Sequence, residues 1–183
     1  LIYNQKYELN ILEIDKIPDK IANNIDCIVH LAAEHKDNVN PIDLYYETNY
    51  NGTKKIIDFA QKYKINKIIF TSSVAVYGLN KKNPDENYNV NPFNDYGKSK
   101  YEAEKILHNW YLKDKNNRSL TIIRPTVVFG EGNKGNVYNL LRQIVSRRFI
   151  MIGDGSNKKS MVYVENIAAF IKFQISHIKP QFQ

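Results

Sequence analysis

The stretch Lys67-Ile68-Ile69-Phe70-Thr71-Ser72-Ser73-Val74-Ala75-Val76-Tyr77-Gly78 decides the fold. Its first six residues form a short apolar, β-branched run that reads as a buried strand, and the run ends in hydroxyls. Working outward, residues 26–31 (DCIVHL) and 119–123 (SLTII) read as two more buried strands, the second stopped by Pro125. Between them, residues 41–63 carry Ile42, Tyr45, Tyr46, Ile56, Ile57, Phe59, Ala60 and Tyr63, mostly at helical spacing. Residues 94–113 predict a helix with Tyr101, Ala103, Ile106, Leu107 and Trp110 as its apolar stripe. A strand over 7–14, a helix over 136–147, strands near 149–152 and 160–164, and a terminal helix from about Glu165 complete the reading. Strands alternating with helices imply an α/β fold with a parallel sheet covered on both faces. Ligands of such sheets sit at the carboxyl ends of the strands, so the chemistry is expected there.

The 183 residues amount to about one domain. With 43% apolar and 25% charged residues, the composition is that of a soluble globular chain. No run of 18 apolar residues suggests a membrane span, and Leu1–Asn10 does not read as a secretory signal, so a cytoplasmic location without membrane contact is expected. One cysteine, Cys27, excludes an intramolecular disulfide framework and a Cys-rich metal site. The four histidines show no paired ligand spacing, and no metal is expected. The net charge of +7 invites a nucleic-acid reading. The lysines are dispersed, however, and no basic block exceeds two residues. Diffuse positive charge suits an anionic small substrate equally well.

Three strand or helix ends carry polar residues. His30-Leu31-Ala32-Ala33 ends the strand 26–31, where small side chains let a ligand approach the backbone. Thr71-Ser72-Ser73 ends the strand 67–72, where hydroxyls can donate to a ligand oxygen or merely cap local backbone. Tyr96 and Lys100 open the helix 94–113 four residues apart, so their side chains share one face. A phenol titrates near 10 and is a poor base at neutral pH. A lysine ammonium beside it would favour the phenolate, and a drop of about 3 units requires roughly 4 kcal/mol. A bound cofactor cation could supply part of that. Each signal has a plain structural alternative when taken alone.

Together the segments resemble the extended short-chain dehydrogenase/reductases, specifically the NAD-dependent sugar-nucleotide epimerase/dehydratase family. Asp26–Ala33 is similar to the family's D-x-V-x-H-L-A-A strand, and Thr48–Thr53 to its N-V-x-G-T helix. Thr71–Gly78 is similar to S-S-x-x-V-Y-G, Tyr96–Lys100 to Y-x-x-x-K, Arg124–Gly130 to R-P-x-x-V-Y-G, and Val162–Asn166 to V-H-V-x-D. The resemblance implies a Rossmann-like doubly wound parallel sheet, partial and with its first strands missing, together with part of a small C-terminal substrate domain. Residues 1–130 would be a partial NAD-binding domain and residues 131–183 a partial substrate-binding region.

By position, the resemblance makes Ser73, Tyr96 and Lys100 catalytic. Ser73 is selected over Ser72 because the family's hydroxyl lies four residues before the Tyr-Gly pair. Leu31, Ala32, Ala33, Thr48, Tyr96, Lys100 and Thr126 would bind the cofactor, NAD with NADP as the alternative. Ser73, Val74, Asn136 and Lys159 would bind a nucleotide-diphosphate sugar, Asn136 at a helix N-terminus and Lys159 where the family usually has an arginine. Asn49 would fix neighbouring backbone. The helices 41–63 and 94–113 would form a homodimer interface, with Tyr45, Tyr46 and Tyr101 in its stripe.

Two departures narrow the implied activity. The family's 4,6-dehydratases carry an acidic pair after the catalytic hydroxyl, where this chain has Val74-Ala75. Many epimerases have Asn where this chain has Val127. The stretch Gly153–Met161 is most similar to epimerases and 4-keto-reductases of surface-polysaccharide pathways. The implied function is a UDP-hexose 4-epimerase working through a 4-keto intermediate. The alternatives are an NAD(P)H-dependent 4-keto-sugar reductase and, from another class, a non-catalytic dinucleotide- or RNA-binding relative, which need not keep the Ser73/Tyr96/Lys100 set.

Gly130-Glu131-Gly132-Asn133-Lys134-Gly135 spells a dinucleotide fingerprint. The run before it carries Arg124 and Pro125, which suit a sheet edge and not a central first strand. The stretch is read as the loop entering the substrate region. No glycine-rich turn precedes residue 26, so the family's pyrophosphate loop is expected to lie outside this chain, and the chain is expected to stop short of a complete substrate domain. The 183 residues alone should therefore bind NAD weakly or not at all in calorimetry. Micromolar binding abolished by Gly132→Val would show the fingerprint to be genuine.

Overall fold

The computed structural model describes residues 6–36, 38–79, 81, 83–151, 153–156 and 158–176. Three strands form a parallel sheet in the order β1 (Ile28–His30), β2 (Lys67–Thr71) and β3 (Ser119–Ile123). The register pairs Val29 with Ile69 and Ile69 with Thr121. A second parallel pair joins β4 (Val127–Phe129) to β5 (Met161–Tyr163).

Parallel strands need long crossovers, and helices supply them. From β1 the chain passes through α2 (Asp43–Tyr45), a π-helical segment (Tyr46–Asn51) and α3 (Gly52–Lys62). These run on as one helical stretch into which the π-segment is inserted. From β2 it passes through α4 (Asp95–Leu112). Asn94 opens α4 by accepting from the Gly97 N–H at 2.9 Å, and Asp95 favours the same helix end electrostatically. Pairing of every second strand residue with one face sends Ile68, Phe70 and Leu120 against Ile56 and Phe59 of α3 and Ala103, Leu107 and Trp110 of α4. Each large side chain so buried contributes roughly 1.5–3 kcal/mol. On the other face, the Lys67 ammonium reaches the Gln174 carbonyl and, at 3.2 Å, the Ile175 carbonyl. These are last-turn carbonyls of α6 (Val164–Ser176), where a cation satisfies acceptors the helix leaves open.

The structure reproduces the parallel α/β reading and corrects parts of it. The strand expected over 7–14 is absent: residues 6–10 are irregular and Ile11–Lys16 form a 3-10 helix. Ile11, Ile14 and Ile17 lie three apart, the 3-10 period, and all three pack on the core. Asn10 caps the turn by accepting from the Leu12 N–H at 3.0 Å. Residues 149–151 form no strand, with Ile150 80% exposed and no neighbour to pair with among the described residues; Ile152 lies outside them. Sequence reading also missed β4, which resumes two residues after Pro125, the short helix α1 (Asp19–Ala22), and a 3-10 turn at Val74–Tyr77. The helix expected at 136–147 is α5 (Asn136–Val145).

A buried polar chain ties β1 to the crossover helix. The Thr53 hydroxyl donates to the Asn49 carbonyl at 2.6 Å, so its oxygen accepts from His30 Nε2 at 2.9 Å. That assignment leaves His30 Nδ1 as a bare acceptor, and it has no partner. Burial, aided by the nearby Lys100 charge, pushes the imidazole down to about 3. A free imidazole titrates near 6.5. The unfolded chain therefore binds an extra proton between these values, and the stabilisation is complete above about pH 6.5 and lost as pH falls towards 3. Urea unfolding at pH 7, 6, 5 and 4 should show a fall of up to about 1.4 kcal/mol per unit attributable to His30. His30→Gln, which keeps a donor towards Thr53, should flatten that dependence; an equally steep loss in this variant would contradict it.

Candidate active site

The three strand ends meet at one edge. Ser72 donates its N–H to the Ile123 carbonyl at 2.7 Å and Val74 to the Pro125 carbonyl at 3.2 Å. Thr71 Oγ1 donates to the His30 carbonyl at 3.2 Å. Leu31, Ala32, Ala33, Ser73, Val74 and Thr126 thus follow three adjacent, cross-linked strands. Leu31 is 57% exposed, and Ala32 beside it is exposed too.

Ser73 is extended (φ −160°, ψ 150°) and caps the 3-10 turn, its Oγ accepting from the Ala75 N–H at 3.1 Å. The first turn of α4 lies directly against this turn. A Cβ at Gly97 would stand 2.8 Å from the Ala75 carbonyl oxygen and 3.1 Å from Pro92 Cβ, so only glycine permits the approach. Tyr96, the preceding residue, is thereby brought close enough for the Ser73 hydroxyl to act on its phenol.

Burial raises the Tyr96 phenol above its ordinary value, the Ser73 hydrogen bond lowers it, and Tyr45, with ring centroids 6.3 Å apart, raises it again. The phenol in this arrangement is an acid. Lys100 lies one turn on, 1% exposed. Its ammonium donates to the Thr71 carbonyl at 2.7 Å and stands 4.6 Å from the Phe70 ring centroid. Burial pulls it down to about 8, opposed by the Glu104 carboxylate. The sequence reading had the ammonium lowering the phenol directly; here the backbone of β2 holds it, and the groups acting on Tyr96 are its burial, Ser73 and Tyr45. An ammonium carries three donors, and the Thr71 carbonyl engages one.

Asn49, in the π-segment beside half-buried Thr48, links the loop after β1 to α4. Its Oδ1 accepts from the Glu34 N–H at 2.9 Å, and its Nδ2 donates to the Glu34 carbonyl at 3.1 Å and to Ser99 Oγ at 2.9 Å. Ser99 in turn donates to the Tyr96 carbonyl at 2.9 Å. Tyr45 is buried within this chain, its hydroxyl donating to the Lys36 carbonyl, and Tyr46 donates to Asp95 at 3.1 Å. Asn136 starts α5 and Lys159 precedes β5; both are exposed, and no described contact joins them to Ser73 or Tyr96. Gly130 of the glycine-rich stretch follows β4 and packs on the start of α6, where an added Cβ would meet Val164 Cγ1 at 2.4 Å. Sequence reasoning gave no role to Arg124, Glu104 and Tyr77, which form a network beneath the site. Residues 20 and 47 positions apart leave no periodic signal of such a contact. Among the described residues there is no group of three His, Cys, Asp or Glu able to hold a metal, and no helix long and apolar enough to cross a membrane.

Comparison with known proteins gives the family. The model of the "NAD dependent epimerase/dehydratase family" matches residues 3–182. The chain belongs to that family. It is 54% identical over 165 residues to the N-acetyl-alpha-D-glucosaminyl-diphospho-ditrans,octacis-undecaprenol 4-epimerase of Escherichia coli O157:H7, covering 90% of this chain and 50% of the relative. It is 34% identical to the UDP-glucose 4-epimerase of Vibrio cholerae, covering 85% and 49%. The chain spans about half the length of these curated relatives. Among solved structures, the UDP-glucuronic acid 4-epimerase from Bacillus cereus in complex with NAD superposes with a TM-score of 0.74 at 23% identity, over 88% of this chain and 53% of that one. RMD from Pseudomonas aeruginosa, complexed with NADPH, gives 0.79 at 20% identity over 100% and 66%. These likenesses establish the Rossmann-type fold.

Replacing Gly97 by alanine should push the Ser73 turn away from Tyr96. In the whole protein, Gly97→Ala is expected to cost about 1–3 kcal/mol in stability, the range for overpacked sites, and to raise the Tyr96 pKa, read by carbon-13 NMR of labelled tyrosine, as the Ser73 hydroxyl moves away. An unchanged Tyr96 pKa would show that the approach at Gly97 does not set the site.

Proposed function

We propose that the whole protein is an NAD-dependent sugar 4-epimerase acting on a hexose linked to a diphosphate, through a 4-keto intermediate. The single observation that carries this reading is the meeting of Ser73 and Tyr96 at the carboxyl edge of a parallel sheet, with the Lys100 ammonium buried one turn below.

The residues present fit the nicotinamide end of the cofactor. Lys100 has donors beyond the one given to Thr71, and the small residues Ala32 and Ala33 after β1 leave the strand end open to a flat ring system. NAD, when bound, supplies the two-electron oxidation and re-reduction at C4. The chain's own groups do the rest. Ser73 holds the C4 oxygen by hydrogen bonding, and Tyr96 takes the 4-hydroxyl proton and returns it. Lys100 favours the phenolate once ribose hydroxyls and cofactor charge join the site. Thr48 and Thr126 flank the cofactor, and Val74, Asn136 and Lys159 contact the substrate. Val74-Ala75 offer neither acid nor base for elimination, which disfavours a dehydratase.

The carrier of the diphosphate is a nucleoside in the leading reading. A polyprenyl carrier is the second, favoured by the 54% identical relative, whose named substrate is lipid-linked. We further infer a homodimer, a cytoplasmic location and a role in surface-polysaccharide synthesis, without nucleic acid. A 4-keto-sugar reductase would use the same site with net consumption of NAD(P)H, and a non-catalytic relative would have no use for the Ser73–Tyr96 contact.

Incubation of the whole enzyme with C4-deuterated UDP-hexoses, and with the polyprenyl-diphosphate hexose, distinguishes these readings. Epimer formation with deuterium kept at C4 and no net NAD(P)H change is expected, and Tyr96→Phe should reduce turnover about 10²–10⁴-fold. With a UDP-4-keto sugar offered in place of the hexose, net NAD(P)H loss and no epimer formation from the hexoses would favour the reductase. Undiminished turnover in Tyr96→Phe would remove the mechanism.

A further inference from the structure

We propose that Arg124 is a positioning residue of this site: its guanidinium braces α4, through Glu104, against the turn that follows Ser73, through Tyr77, and so fixes the separation at which Ser73 meets Tyr96. Arg124 follows β3 directly. Its Nε and Nη2 donate to Glu104 Oε1 and Oε2 at 3.0 and 2.6 Å, and its Nη1 donates to the Tyr77 hydroxyl at 3.0 Å. The guanidinium also stands 5.0 Å from the Tyr77 ring centroid. All three groups are withdrawn from water, with Glu104 at 4% and Tyr77 at 6% exposure and the Arg124 side chain at 20%.

The placement of the two anchors is what gives the brace a function. Tyr96, Lys100 and Glu104 are spaced i, i+4 and i+8, so Glu104 ends the face of α4 that carries the two catalytic candidates. Tyr77 closes the 3-10 turn that Ser73 caps, so a shift of Tyr77 moves Ser73 with it. A third link anchors the same strand end, because the Pro125 carbonyl accepts from the Val74 N–H at 3.2 Å. One residue thus joins the end of β3, the Ser73 turn and the Tyr96 helix.

Charge alone does not account for this arrangement. A buried ion pair is poor evidence of stabilisation, since an apolar pair of similar volume often does as well. A planar fork with a further donor committed to a third element specifies geometry, which neither a point-charge lysine nor an apolar pair reproduces. The Glu104 carboxylate also acts on Lys100 one turn away, opposing the effect of burial on the ammonium. The groups facing the Tyr96 phenol are Ser73 from the turn and Tyr45 from α2, with Lys100 following on α4 and Asp95, bonded to Tyr46, preceding it. Of the two that act on the phenol, Ser73 is the one that favours the phenolate, and the brace acts through it.

The test uses the whole enzyme and four substitutions: Tyr77→Phe, which keeps the ring and removes one hydroxyl; Arg124→Lys, which keeps the charge and removes the fork; Arg124→Met, which removes both; and Glu104→Gln, which keeps the shape. Carbon-13 NMR of Cζ-labelled tyrosine, with the Tyr96 signal assigned through Tyr96→Phe, reads the phenol directly and needs neither turnover nor cofactor. In Tyr77→Phe the Tyr96 pKa should rise and kcat should fall about five- to tenfold, the equivalent of one hydrogen bond, with KM for the sugar substrate within twofold of the parent. Arg124→Lys should lose more, yet retain more than Arg124→Met. If the arginine variants fail to fold, Tyr77→Phe still decides. A Tyr96 pKa and kcat equal to the parent's in Tyr77→Phe and Glu104→Gln, with only stability reduced, would overturn the proposal. The kinetic arm rests on the epimerase reading; a parent without epimerase activity would sink that reading and leave the NMR arm to judge the brace.

Discussion

Everything at the candidate site depends on how closely the first turn of α4 approaches the turn after β2. At Gly97 the two backbones come so near that a single methylene would collide with the Ala75 carbonyl. That contact converts two ordinary local structures, a capped helix start and a 3-10 turn, into a juxtaposed tyrosine and serine. Asn94 fixes where the helix begins and Ser73 caps the opposing turn, so both caps define the contact while one also supplies the hydroxyl. The Arg124 fork then grips the same two elements farther from the reacting edge.

The electrostatics follow from burial. Lys100, His30 and Tyr96 are each withdrawn from water, and each is pushed towards its neutral form. For His30 the result is structural: a neutral imidazole donating to Thr53 beneath the sheet edge. For Lys100 it leaves an ammonium held by one carbonyl, with donors to spare. For Tyr96 it leaves a protonated phenol beside a hydroxyl, Ser73, that favours its conjugate base. A site in this condition is poised and incomplete, since a cation or ribose donors added beside it would tip the phenol towards ionisation.

Much of this was legible in the sequence, and what was missed has physical causes. The strand at 119–123 coincides with β3 because its β-branched run is bounded by turn residues on both sides. The stripe Ala103, Leu107, Trp110 announced the buried face of α4, and the i, i+4 pair Tyr96/Lys100 lies in the first turns of that helix, next to the Ser73 turn. The segment Ile11–Lys16 was misread because isoleucines three apart, flanked by other apolar residues, mimic alternation over a short window. The run at 149–151 has strand-like residues but no partner edge, which periodicity cannot reveal. β4 has only three residues and follows a proline. The direction of the Lys100 ammonium, towards the Thr71 carbonyl, is set by tertiary packing, and so is the Arg124 network. Asn136 and Lys159 came from family position alone, and the structure brings neither to the Ser73–Tyr96 contact.

The most direct measurement of the central claim is a crystal structure of the whole enzyme with NAD and a sugar diphosphate bound. The account predicts Ser73 Oγ and Tyr96 Oη both within about 3.2 Å of the oxygen on the sugar's C4, with Lys100 still on the Thr71 carbonyl. A sugar whose C4 oxygen lies beyond reach of both hydroxyls, held instead by groups outside the β2–α4 junction, would contradict it.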